Sequence, residues 1–84
     1  MAEKKTAAIP LSELVPGSRA RVVSLQAEGL VRRRLLDLGM VPQTIVEVVR
    51  RSPIGDPTAY RVRGTTIGLR KEDAKQILVE TLGK

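Results

Sequence analysis

The sequence contains no cysteine and no histidine. Without cysteine there is no disulfide to brace the fold and no thiolate zinc site. Without histidine, the commonest transition-metal ligand and the usual general base are both missing. Ser12, Ser18, Ser24 and Ser52 then have no evident partner to activate them, so nucleophilic catalysis has no starting point. Glu72 and Asp73 are adjacent and lie where the first turn of a helix favours negative charge, so they do not read as an acid/base pair. No glycine-rich phosphate loop occurs. The residues make no case for an enzyme.

Aromatic residues are almost absent. Tyr60 is the only one, and stacking on unpaired bases is therefore nearly out of reach. No apolar run approaches the roughly 18 residues of a membrane span, and the N-terminus lacks a signal-peptide core. The chain is expected in the cytoplasm. Metal binding is left with nine carboxylates and backbone oxygens. Asp37, Glu47 and Asp56 could meet, but nothing in their spacing demands it, and oxygen-only sites favour hard ions. No tight Fe²⁺ or Zn²⁺ site and no cofactor is expected.

What is present is basic charge, 15 Lys plus Arg against nine Asp plus Glu in 84 residues. That balance favours anionic partners: nucleic acid, lipid head groups or an acidic protein face. For nucleic acid it supports phosphate contact without sequence readout. The length allows one domain with a thin core.

The stretch Leu30–Pro42 organises the chain. Val31, Leu35 and Leu38 recur at spacings of four and three, so they share a helical face, which Leu30 and Leu36 widen. Gly39 stands where a left-handed cap residue is wanted, Met40 is placed to fold back on Leu35, and Pro42 stops continuation. Arg32, Arg33 and Arg34 fall mostly outside the apolar face. Three successive residues span about 200° of a helix, so they cannot all serve one flat contact. Arg33 and Asp37, four apart, can pair locally.

Around that helix the chain reads as strand. Residues 1–8 are expected to form a flexible tail and residues 9–84 the domain. Ser12 can cap a single helical turn, with Leu11 and Leu14 plugging one end of the core. Arg19–Leu25 alternates, with Ala20 and Val22 on one face and a falter at Ser24–Leu25 that suggests a bulge. Thr44–Ser52 is β-branched on both faces, and the central helix is the expected cover for its outer one. Pro53–Pro57 is a stiff loop, with Ile54 either exposed at its tip or tucked inward. Thr58–Gly64 places Tyr60 and Val62 together, Gly64–Thr65 permits a tight turn, and Ile67 and Leu69 share the next inner face. Gly68, on the opposite face, allows close backbone approach. A short helical run at Lys71–Gln76 precedes a last strand over Ile77–Leu82. The pattern is mainly β with short helices. It predicts a small, partly open barrel of the SH3-like or OB-like kind, with about five strands and one inserted helix.

An ordered set of motifs now stands out: Pro10-Leu11-Ser12-Glu13-Leu14 with Pro16-Gly17, Arg33-Arg34-Leu35-Leu36-Asp37-Leu38-Gly39-Met40, Val46-Glu47-Val48-Val49-Arg50-Arg51, Pro53-Ile54-Gly55-Asp56-Pro57 and Tyr60-Arg61-Val62-Arg63-Gly64. In that order, from about Ile9 to Glu80, they resemble the FeoA family of small bacterial ferrous iron transport proteins. The resemblance implies an SH3-like barrel and likeness to the C-terminal domains of iron-dependent repressors. It also implies a role beside FeoB, the membrane protein with a cytosolic G domain that imports Fe²⁺. Metal binding is part of the family's usual description. Gln43 stands where a glycine before threonine is usual, and Thr65 where an aromatic residue often follows Arg-Gly.

The expected function is that of an accessory protein that binds and modulates the cytosolic region of FeoB. Arg33, Leu36, Met40 and Ile54 are its expected contact residues, with Leu36 and Met40 the two that could instead belong to the core. The alternatives are a basic barrel binding nucleic acid non-specifically and a metal-responsive SH3-like regulatory domain.

Overall fold

A computed structural model describes residues 8–83. The expected tail, apart from Ala8, lies outside the described residues. The chain forms β1 (Ile9–Pro10), a 3₁₀ turn (Leu11–Glu13), β2 (Arg19–Leu25), α1 (Gly29–Asp37), β3 (Ile45–Arg51), β4 (Thr58–Val62), β5 (Thr65–Leu69), α2 (Lys71–Ala74) and β6 (Ile77–Gly83). The strands make one antiparallel sheet in the order β1-β6-β2-β3-β4-β5. Register shifts at Arg19/Ala20, Val22/Ser24 and Val48/Arg50 bend the strands, as an extra residue on one side of a ladder does, and curl the sheet into an open barrel.

The core follows from period-two alternation. Ala20 and Val22, Val46 and Val48, Tyr60 and Val62, Leu69, and Ile77 and Val79 all point inward and are buried. Leu11 and Leu14 close one end, and Leu35 and Met40 enter from α1 and its cap.

The described residues form six strands, not about five, because Ile9 and Pro10 pair with Val79 and Leu78. Two residues carry no readable alternation, and a proline is tolerated there because β1 is an edge. Ser12 does not cap the 3₁₀ turn. It lies inside it, and Pro10 occupies the cap position with no side-chain hydrogen bond. Ile45 is 42% exposed, so α1 does not seal the outer face of β3. A side chain at Gly68 would meet open space, so no backbone approaches it closely. The β4–β5 turn falls one residue earlier than expected. Val62 pairs with Thr65 across Arg63–Gly64, both at positive φ (51° and 80°), which matches the right-handed strand twist.

The end of α1 is fixed by local chemistry. The Gly39 N–H donates to Leu36 O and the Met40 N–H to Leu35 O, both at 3.0 Å, with Gly39 at φ 101°. This paired bonding around a left-handed residue satisfies two carbonyls that the helix would leave open. Met40 is thereby turned into the core beside Leu35. The chain then reverses through Val41–Thr44, where the Thr44 N–H donates to Val41 O at 3.1 Å. Pro42 holds the second position, and Gln43 takes φ 81°, the value such a turn reserves for glycine. Gln43 therefore keeps the glycine geometry at a steric cost and does not reshape the turn. Its N–H donates to Val22 O at 2.8 Å, which locks the turn to β2.

Candidate partner-binding surface

The three arginines of α1 have separate fates. Arg34 Nη2 donates to Asp73 Oδ2 at 2.7 Å, joining α1 to α2. Arg32 and Arg33 enter no ion pair among the described residues, and the local Arg33–Asp37 pair does not form. Two other arginines are neutralised across strands by directly opposite carboxylates, Arg21 by Glu80 and Arg61 by Glu47.

Arg33 and half-buried Leu36 come together. With Gly29, Arg32 and Asp37 they line an open cleft of about 530 Å³ on the outer side of α1. Met40 does not join them. It is fully buried, because the cap turns it inward, so it belongs to the core and is removed from the set of contact residues. Leu30 was expected to widen the buried face, yet it is 84% exposed. It sits five residues before Leu35, roughly 140° around the helix from the residue at the centre of the buried stripe. That angle is readable in the sequence and marks Leu30 as an apolar residue facing solvent.

Ile54 lies elsewhere, 87% exposed on the loop between β3 and β4. No residue of Pro53–Pro57 is buried, so hydrogen bonds hold the loop. The Ser52 N–H donates to Pro57 O (3.1 Å) and the Gly55 N–H to Ser52 O (2.8 Å). Ser52 Oγ donates to Asp56 O (3.1 Å) and accepts from the Ile54 N–H (3.3 Å). The Asp56–Pro57 peptide is cis and Gly55 has φ 91°. Asp56 Oδ1 accepts from the Lys71 N–H at 2.8 Å, at the start of α2.

Two ties therefore meet on one short helix. Asp56 holds its first residue from the loop side, and Asp73 holds Arg34 from the α1 side. Ile54 and the Arg33–Leu36 surface belong to separate elements, and α2 is tied to the Ile54 loop through Asp56 and to α1 through Arg34. Neither aspartate was singled out for this in the sequence, because its partner lies 15 or 39 residues away.

The FeoA domain family model matches residues 9–81. The chain is 39% identical over 72 residues to an Fe(2+) transport protein A/Fe(2+) transporter FeoB fusion protein of Porphyromonas gingivalis. That match takes in 86% of this chain but only 8% of the fusion, so the chain spans a small fraction of that relative's length. Among solved structures, a FeoA-like protein from Clostridium acetobutylicum superposes with a TM-score of 0.88 at 40% identity, over 95% of this chain and 93% of the other. FeoA of Stenotrophomonas maltophilia, solved in complex with zinc and described as a prokaryotic SH3 domain protein, gives 0.74 at 36% identity, over 83% and 87%. Among the described residues here, no three His, Cys, Asp or Glu side chains come together, so they offer no such donor set for a metal ion. No helix among them is long and apolar enough to cross a membrane. The match over nearly the whole domain, the shared SH3-like fold and the fused transporter relative together place this chain in the FeoA family, a family linked to ferrous iron transport.

Proposed function

We propose that this chain is a non-enzymatic accessory protein of bacterial ferrous iron uptake, working in the cytoplasm by docking on the cytosolic region of FeoB. The observation that carries the reading is the fusion relative, in which a similar domain and FeoB share one polypeptide. In that relative, fusion keeps the two partners at millimolar effective concentration. Arg33, Leu36 and Ile54 are the proposed contacts. Ile54 supplies an apolar anchor on a loop already ordered by hydrogen bonds, which lowers the entropy lost on binding. Arg33 supplies a guanidinium in no ion pair among the described residues, beside Leu36, and arginine is a residue type favoured at interfaces.

Docking modulates transport only if the chain binds two states of FeoB with different affinity. A tenfold difference shifts their balance by about 1.4 kcal/mol. The test is calorimetric titration of the FeoB cytosolic region with the wild-type chain and with an Arg33→Ala/Ile54→Ala variant. The double variant is expected to bind at least about tenfold more weakly with an unchanged melting temperature. Equal affinity with an intact fold removes this surface from the reading.

A further inference from the structure

Beside the Ile54 loop lies a second cleft, of about 250 Å³, lined by Ser12, Arg51, Gly55, Thr58, Tyr60 and Lys71. Two cations and three hydroxyl residues line it, and among the described residues no carboxylate does. The Asp56 carboxylate, held by the Lys71 N–H, lies at its edge and acts on Tyr60, so the two cations outweigh one acid there. Neither Arg51 nor Lys71 joins an ion pair among the described residues. Arg51 gives one N–H to Leu14 O at 2.8 Å, which fixes its guanidinium and leaves other donors of the fork available. Thr58 and Tyr60 are buried polar side chains, 6% and 2% exposed, and they form the floor. Burial pushes the Tyr60 hydroxyl above its ordinary value of 10.0, so at neutral pH it is a neutral O–H.

We propose that this cleft binds an oxyanion, and that the anion is a carboxylate side chain of the protein on which the Ile54 loop docks. A cleft lined by donors and cations takes an acceptor of negative charge. Its volume lies below the roughly 300–1,000 Å³ of small-molecule sites, so it suits a single charged group. Gly55 is shared between the cleft wall and the loop that carries Ile54, which puts the apolar anchor and the anion receptor on one contact surface. The source of the carboxylate rests on the proposed function, whereas the oxyanion site does not.

The test titrates the full isotopically labelled chain with sodium acetate, with ionic strength held constant by chloride. Saturable shifts are expected at the Ser12, Gly55, Thr58 and Lys71 amides, with apparent affinity about tenfold lower in Lys71→Gln. That variant keeps the backbone N–H that Asp56 holds. Arg51→Gln, which also frees Leu14 O, is the second variant and is expected to weaken binding at least as much. Shifts that do not saturate, that scatter over the exposed arginines or that keep their full apparent affinity in Lys71→Gln overturn the site. A parallel titration with inorganic phosphate separates the sources. Phosphate more than about tenfold tighter than acetate at the same amides overturns a protein carboxylate as the occupant. Against the FeoB cytosolic region, Lys71→Gln is expected to bind about tenfold more weakly. Full FeoB affinity in Lys71→Gln, with the acetate shifts lost, removes FeoB as the source of the carboxylate and leaves the oxyanion site standing.

Discussion

Helix α1 and the Pro53–Pro57 loop both present exposed residues, but they are held by different forces. The helix is anchored by burial: Leu35 and Met40 are fully buried, and Val31 and Leu38 pack against the core. The loop buries nothing of its own and is held by backbone bonds, the Ser52 hydroxyl and the Asp56 carboxylate. Burying a leucine contributes about 1.5–3 kcal/mol, whereas a single hydrogen bond contributes about 1 kcal/mol net. Changes beneath α1 should therefore be read as stability. Changes in the loop should be read as order and binding.

The sharpest way to break this contrast is to truncate one buried and one exposed residue. Leu35→Ala is expected to destabilise by about 2–5 kcal/mol, and Ile54→Ala to stay within about 0.5 kcal/mol, in urea unfolding. A large loss for Ile54→Ala would show that the loop is part of the core. Next comes the cap. Gly39→Ala forces a side chain to φ 101° and places its Cβ 3.2 Å from Val62 Cγ1, so a loss of about 1–2 kcal/mol is expected. Asp56→Ala removes the tie to Lys71 and should lower stability by about 1 kcal/mol. Hydrogen exchange should speed up at Gly55 and Lys71 more than in β2 or β6. Gln43→Gly relieves positive φ, and a gain of about 1 kcal/mol is expected in thermal unfolding. The smallest effect is alkaline. Because Tyr60 has its folded pKa raised by burial, its contribution is complete below pH 10 and is lost as pH rises through the higher folded value. Absorbance titration of this single tyrosine should show the upward shift, and Tyr60→Phe should lose that part of the alkaline fall in stability.

Legibility in the sequence tracked the range of the interaction. The glycine cap, the reversal after Pro42 and the inner faces of β2, β4 and β6 follow from neighbours a few residues apart, and periodicity exposes them. Met40 shows both sides of this. Its fold-back on Leu35 is a local rule that held, and the same rule buries it and rules out a partner contact. β1 escaped notice because two residues give no period. The Arg34–Asp73 and Asp56–Lys71 ties were hidden because they depend on how the sheet brings distant segments together. The resemblance to the FeoA family drew on ordered motifs and reached the fold and the iron-transport link. It did not separate Arg34, which is tied to α2, from Arg32 and Arg33, which are not.

The central proposal is that two exposed regions, α1 around Arg33 and Leu36 and the Pro53–Pro57 loop, meet FeoB. The most direct measurement is a chemical-shift map of the labelled chain against the unlabelled FeoB cytosolic region. The account predicts perturbation at Arg32, Arg33, Leu36 and residues 53–57, with the outer face of β3 around Ile45 unaffected. Perturbation centred on Ile45 and the Pro42–Gln43 turn, with Ile54 and Arg33 unchanged, would contradict it.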